Sequence, residues 1–312
     1  MGLLGDFFES VIDKAADTVQ TLTGEKERRK LVQDIKETYS QFRLKVEDKI
    51  DLINDYIDSF NMSIRELNTM RRGQVRENIC ILGSFLGKFG KTKEIGEYTS
   101  EKENTEIAIP EQEFQRKEDY IKEIDWSKED VFEDTFFLTP IGMAVKTREQ
   151  NQSMYEQMKK IEHESIIILQ QLELKEYTVM QDKEIADLYI HCVSIISEYI
   201  RNTILPELQI VETFFQSIAI KNKVIAEDGF NDVKYNFNLS MINDNIYSSH
   251  YQFIKNSFMF YVISCKIYNT SVLTNLLIGN VNEEDKKIIT EQRNLLLEQK
   301  QKVDTFLTFE RG

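Results

Sequence analysis

KLVQDIKETYSQFRLKVEDKIDLINDYIDSFNMSIRELNTM, residues 30–70, is the stretch on which the fold turns. Ile35, Tyr39, Phe42, Val46, Ile50, Ile53, Ile57, Phe60, Ile64 and Leu67 follow one another at steps of three or four, which places them on one face of a helix. At about 1.5 Å per residue such a helix reaches roughly 60 Å. Most steps alternate four and three, as a heptad seam does, and the step from Val46 to Ile50 breaks the alternation. Asp51, Asp55 and Asp58 share another face, and with no further ligand beside them they read as a solvated face, not a metal site.

The rest of the chain agrees with this helix. Among 312 residues there are 3 prolines and 12 glycines, so sheet with frequent turns is disfavoured and an all-α fold is expected. A net charge of −14 argues against a chain that neutralises nucleic-acid phosphates over a broad face. Cys80, Cys192 and Cys265 are far apart, odd in number and set among apolar residues, which suits reduced thiols in the cytoplasm. The first residues lack the basic region, apolar run and cleavage site of a secretory leader, and Asp6 stands where a myristoylation signal needs Ser or Thr. A cytoplasmic protein is expected, or one peripheral to the inner face of a membrane.

Residues 1–24 form a separate element, an amphipathic helix with Leu3, Leu4, Phe7 and Phe8 heading its apolar stripe and Thr23-Gly24 ending it. Residues 25–312 read as one elongated helical bundle. Within it, residues 91–138 are an acidic insert around Pro110, largely irregular, with a short helix expected over 113–124. Helical order resumes after Thr139-Pro140. Met154, Met158, Ile161, Ser165, Ile168 and Leu172 give a second seam, followed by a helix over 182–225 that Pro206 should kink or split.

Residues 226–245 read as a loop. Residues 246–278 are apolar on nearly every side, with Lys255, Lys266 and Asn269 on one narrow polar strip, and the buried centre of a bundle is expected there in preference to a membrane span. A last amphipathic helix over 283–309 carries Ile289, Leu296 and Val303. The expected architecture is therefore an elongated antiparallel bundle of four to five long helices with coiled-coil-like seams, plus the N-terminal helix and the insert.

Several chemistries fail on spacing. Gly87-Lys-Phe-Gly-Lys-Thr92 supplies the second half of a phosphate-binding loop, but Phe85 stands where its first glycine belongs and no strand precedes it. The three histidines are preceded three positions earlier by Lys160, Leu188 and Tyr247, so no Glu-x-x-His di-iron pair exists. Asp187 and His191 make a lone pair, and Cys192 beside His191 points to another face of the helix. No enzyme, metal, cofactor, nucleic acid or small-molecule substrate is expected.

One region stands out against the acidic background. Ile79, Ile81, Leu82, Phe85, Leu86 and Phe89 are interrupted by glycines and flanked by Arg71, Arg72, Arg76, Lys88 and Lys91. These residues, with Leu3, Leu4, Phe7 and Phe8, are the candidate contacts for a protein or a membrane, although apolar groups at a helix end also cap cores. The functional expectation is a non-enzymatic helical interaction or scaffold protein, assembling with partner proteins or itself through helix faces and this apolar, cation-flanked tip. The alternative is a membrane-active protein, either a remodelling accessory or an effector that inserts apolar segments. For that alternative the chain resembles α-helical pore-forming toxins in general plan, with no shared motif.

Overall fold

The computed structural model describes residues 25–89, 107–121, 154–225 and 248–307. Two compact units emerge, one formed by Met1–Asp58 and Glu113–Met180, the other by Ser59–Gln112 and Gln181–Gly312. Among the described residues the protein is all-α, 88% helical and without strands. The expected helix over 1–24, the helix start at Thr139-Pro140 and the loop over 226–245 lie outside the described residues.

Helix α1 is Glu25–Met70. Its stripe from Tyr39 through Phe42, Val46, Ile50, Ile53, Ile57, Phe60 and Ile64 to Leu67 is at most 3% exposed at every position. Two large apolar residues off the stripe, Leu44 and Met62, are more than half exposed. The period of the sequence thus selected the buried face.

Helical structure does not stop at residue 70. The chain passes through a π-helical turn, Arg71–Val75, into helix α2, Arg76–Leu86. Buried positions there run Leu67, Arg71, Val75, Ile79 in consecutive steps of four. In an α-helix three such steps would swing the stripe about 120° around the axis. The wider π turn absorbs that drift and keeps the face on the core.

The same device recurs. Helix α3, Met154–Tyr199, is continuous where the sequence read two segments separated before residue 182. Of the expected second seam Ser165 and Leu172 are buried, Ile168 is half-buried, and Glu162 and Leu169 are buried as well; the side chains of Met154, Met158 and Ile161 lie outside the described residues. Farther on the buried positions run Ile196, Ile200, Ile204, Leu208, again in fours, and a π turn occupies Ile200–Ile204 before helix α4, Leu205–Ile225. Pro206, expected to kink or split the helix, is the second residue of α4, directly after that turn, so regular α-helix gives way there to a π turn without a break in helical structure.

The apolar run expected as one helix over 246–278 is two, α5 (Ser248–Tyr268) and α6 (Ser271–Ile278), because Thr270 is extended at φ −67°, ψ 150°. Phe253, Phe260, Tyr261, Ile267 and Tyr268 are buried, whereas Lys255, Lys266 and Asn269 are exposed. Gly279, at φ +67°, ends α6. Asn282 caps α7, Glu283–Thr305, its side chain accepting the N–H groups of Glu284 and Asp285 while the Asp285 carboxylate accepts the Asn282 N–H, and the helix buries Ile289, Leu296 and Val303. Helices α5 and α7 pack along each other, Asn256 meeting Gln299 and Lys302. Helix α2 lies against α5 so closely that a Cβ on Gly83 would stand 2.9 Å from the Tyr261 ring.

Candidate functional site

Part of the acidic insert is ordered on α1. Residues 107–116 carry no regular structure and lead into a 3-10 turn, Lys117–Asp119, in place of the short helix expected over 113–124. Asparagines of α1 hold this segment by its backbone. Asn68 accepts the N–H of Ile109 at 2.9 Å on its side-chain oxygen and donates its amide to the carbonyl of the same residue at 3.0 Å. Asn61 treats Gln112 identically, at 2.8 and 3.0 Å.

The register has a simple origin. Asn61 and Asn68 stand seven residues apart on the helix, a rise of about 10.5 Å. Ile109 and Gln112 stand three apart in the segment, and three extended residues cover about 10 Å. Pro110 follows Ile109, and a residue before proline is pushed towards the extended region. In the other compact unit Asn54 makes the same pair of bonds to Gln115, at 2.8 and 3.0 Å.

Side chains add to the grip. The Arg65 guanidinium meets the Glu111 carboxylate with two bonds, at 3.0 and 2.7 Å, and holds that carboxyl below its ordinary range. The Gln112 amide donates to Asp182, which is buried. Ile109 is 2% exposed and belongs to the core with Phe60, Ile64 and Leu67. Arg71, also buried, donates to the carbonyl of Ile107 at 3.3 Å.

These asparagines were not anticipated from sequence. The signal available was periodic: Asn54, Asn61 and Asn68 each follow a stripe residue, Ile53, Phe60 and Leu67, by one position. Solvated polar residues occupy such places in any amphipathic helix, so periodicity alone cannot separate a grip from a surface.

The cation-flanked tip is placed as follows. Ile79, Leu82, Leu86 and Phe89 are core residues, and Arg71 is buried beneath residue 107. Ile81, Arg72 and Lys88 are exposed, while Phe85 and Arg76 are half-buried. Lys88 reaches Glu212 at 2.8 Å and lies 4.3 Å over the Phe85 ring. Lys91, Leu3, Leu4, Phe7 and Phe8 lie outside the described residues. Among the described residues of this tip, the core therefore takes Ile79, Leu82, Leu86, Phe89 and Arg71, while Ile81, Phe85, Arg72, Arg76 and Lys88 keep exposed surface.

A groove of about 680 Å³ opens beside the second π turn, lined by Tyr199, Asn202, Pro206, Glu207, Lys300 and Asp304 among others. Tyr199 donates its hydroxyl to Asp304, and Lys300 lies 4.7 Å over its ring. Burial and the adjoining carboxylate push the Tyr199 phenol up, which keeps it protonated and unsuited to act as a base. Cys192 and Cys265 are pushed up by burial, to about 12 and about 11, and so lack thiolate character. Asp187 is held by Ser63 and Lys183, each at 2.7 Å, and His191 is exposed. Among the described residues no group of His, Cys, Asp or Glu is placed to hold a metal, and no helix is long and apolar enough to cross a membrane.

No protein family, curated protein or solved structure matches this chain.

Proposed function

We propose that this chain is a non-enzymatic helical interaction protein that holds a polypeptide partner, or a second copy of itself, along the faces of its long helices. In this reading the helices assemble as an elongated antiparallel bundle with heptad-like seams, and the protein works in the cytoplasm. The observation that carries the proposal is the paired bonding of Asn61 and Asn68 to both backbone groups of Gln112 and Ile109. Side-chain amides used this way recognise extended polypeptide as such, with apolar and charged neighbours supplying selectivity.

Membrane insertion has weaker support. It would draw Ile79, Leu82, Leu86 and Phe89 out of the core, at a cost of about 1.5–3 kcal/mol each before any gain from lipid.

A display library of peptide fragments selected against the full chain tests the reading, together with light scattering over a range of concentrations. A family of peptides enriched reproducibly and competed by soluble protein is expected, or else concentration-dependent self-association. The proposal fails if neither occurs while anionic vesicles sediment the protein.

A further inference from the structure

We infer that the α1 face bearing Asn61, Arg65 and Asn68 is a receptor for an extended peptide of a partner protein, and that residues 109–112 are the intramolecular occupant of that receptor. This deepens the proposed function and rests on it, because it names where a polypeptide is held and what its chemistry is. The occupant supplies the pattern: an apolar residue, any residue, glutamate, then glutamine, read here as Ile109-Pro-Glu-Gln112.

Each position has a reason. The apolar residue enters the core to which Phe60, Ile64 and Leu67 belong, while Asn68 takes both of its backbone groups. The next position is exposed and makes no demand on a backbone N–H, so proline is accepted there. The glutamate meets the two-pronged Arg65 guanidinium, a geometry lysine could not reproduce. The glutamine is gripped by Asn61 through its backbone and by Asp182 through its side-chain amide.

Nothing in this set of contacts depends on the occupant's being part of the same chain. The asparagines bind backbone groups that every extended peptide presents, and Ala108 and Pro110, the neighbours of the anchor, are exposed. A partner segment with the same four-residue pattern therefore fits the same bonds. The internal segment competes with it at the high effective concentration that covalent connection gives.

Fluorescence polarisation of a labelled peptide spanning residues 107–116, added to the full chain, tests this. Three receptors are compared: the wild type, Ile109→Asp, whose own segment loses its anchor, and Ile109→Asp combined with Asn61→Ala and Asn68→Ala. Saturable binding to Ile109→Asp is expected, at least about tenfold tighter than to the wild type. The triple variant should lose about tenfold or more, as should a peptide N-methylated at the residue corresponding to Gln112, which removes the N–H that Asn61 accepts. Glu111→Arg, a change at an exposed position that opposes Arg65, replaces Ile109→Asp if that variant fails to give a helical circular-dichroism spectrum.

The inference is overturned if folded Ile109→Asp or Glu111→Arg binds no peptide, or if the N-methylated peptide binds as well as the parent. It is also overturned if the wild type dimerises with Asn61 cross-linked to residue 112 of another copy, because the occupant would then be this chain's own segment exchanged between copies. In each case the functional reading survives if the display selection still enriches ligands indifferent to Asn61 and Asn68, so the two failures are distinct.

Discussion

Asn61 binds both backbone groups of Gln112, accepting its N–H at 2.8 Å and donating to its carbonyl at 3.0 Å. A single amide side chain thereby satisfies a backbone unit that no helix or strand partner reaches, and Asn61 is itself 1% exposed. At neutral pH an amide suits this task and a carboxylate does not, because the task needs one donor and one acceptor side by side.

Asn61→Ala is accordingly expected to cost about 1–3 kcal/mol, leaving two partly buried backbone groups without their partner. Asn61→Asp should cost more at neutral pH, since its second carboxylate oxygen faces the Gln112 carbonyl, and should recover as acid protonates it into a donor. Urea midpoints at two pH values, with hydrogen exchange at the Gln112 amide, measure both effects. Equal stability of the Ala and Asp variants at neutral pH would contradict the geometry.

Gly83 permits the approach of α2 to α5, because a Cβ there would stand 2.9 Å from the Cε2 and hydroxyl of Tyr261. Gly83→Ala should destabilise by about 1–3 kcal/mol despite the better helix propensity of alanine. In a Tyr261→Ala background the same change should be close to neutral or favourable. A thermal-melt double-mutant cycle without coupling would refute this account.

Glu162 lies 3% exposed on α3, and burial pushes its carboxyl up from 4.5 to about 7, with Lys159 opposing the shift. Between those values the folded chain binds the proton more tightly than the unfolded chain does. The contribution to stability is therefore full below about pH 4.5, declines as pH rises to about 7 and is gone above it. Glu162→Gln, neutral throughout, should exceed the wild type by roughly 2 kcal/mol at about pH 8 and lose that advantage in acid. A stability difference that does not vary with pH would reject the assignment.

Arg71, at 1% exposure, carries its charge into the core beside Tyr189 and Tyr268 and bonds the Ile107 carbonyl. Arg71→Lys should lower stability by about 2 kcal/mol or more, since a lysine ammonium is more strongly hydrated and lacks the planar fork. Hydrogen exchange should then quicken at Ile109 as well, because the start of the held segment is released. Wild-type exchange at Ile109 in a destabilised Arg71→Lys chain would separate core strain from loss of the segment's anchor.

The sequence by itself determined that the described chain is helical and which face of α1 is buried. Both follow from local spacing: apolar steps of three and four leave one face to cover, and every member from Tyr39 to Leu67 is covered. It also marked Pro206 as a place where regular helix fails. What spacing could not reveal was how the failures are absorbed. Two runs of fours, Leu67 to Ile79 and Ile196 to Leu208, look like drift until packing demands that one face be kept, and the π turns Arg71–Val75 and Ile200–Ile204 answer that demand.

The tertiary structure alone decided the fate of the polar and apolar residues outside the stripe. It sent Ile79, Leu82, Leu86 and Phe89 into the core and buried Arg71, where a local reading had left a contact role and core packing side by side. It also turned Asn61 and Asn68 from ordinary helix residues into a grip on Gln112 and Ile109, residues more than forty positions away. Helix periodicity is set by neighbours along the chain, whereas a hydrogen bond between distant segments depends on where folding brings them, and no local pattern encodes that meeting.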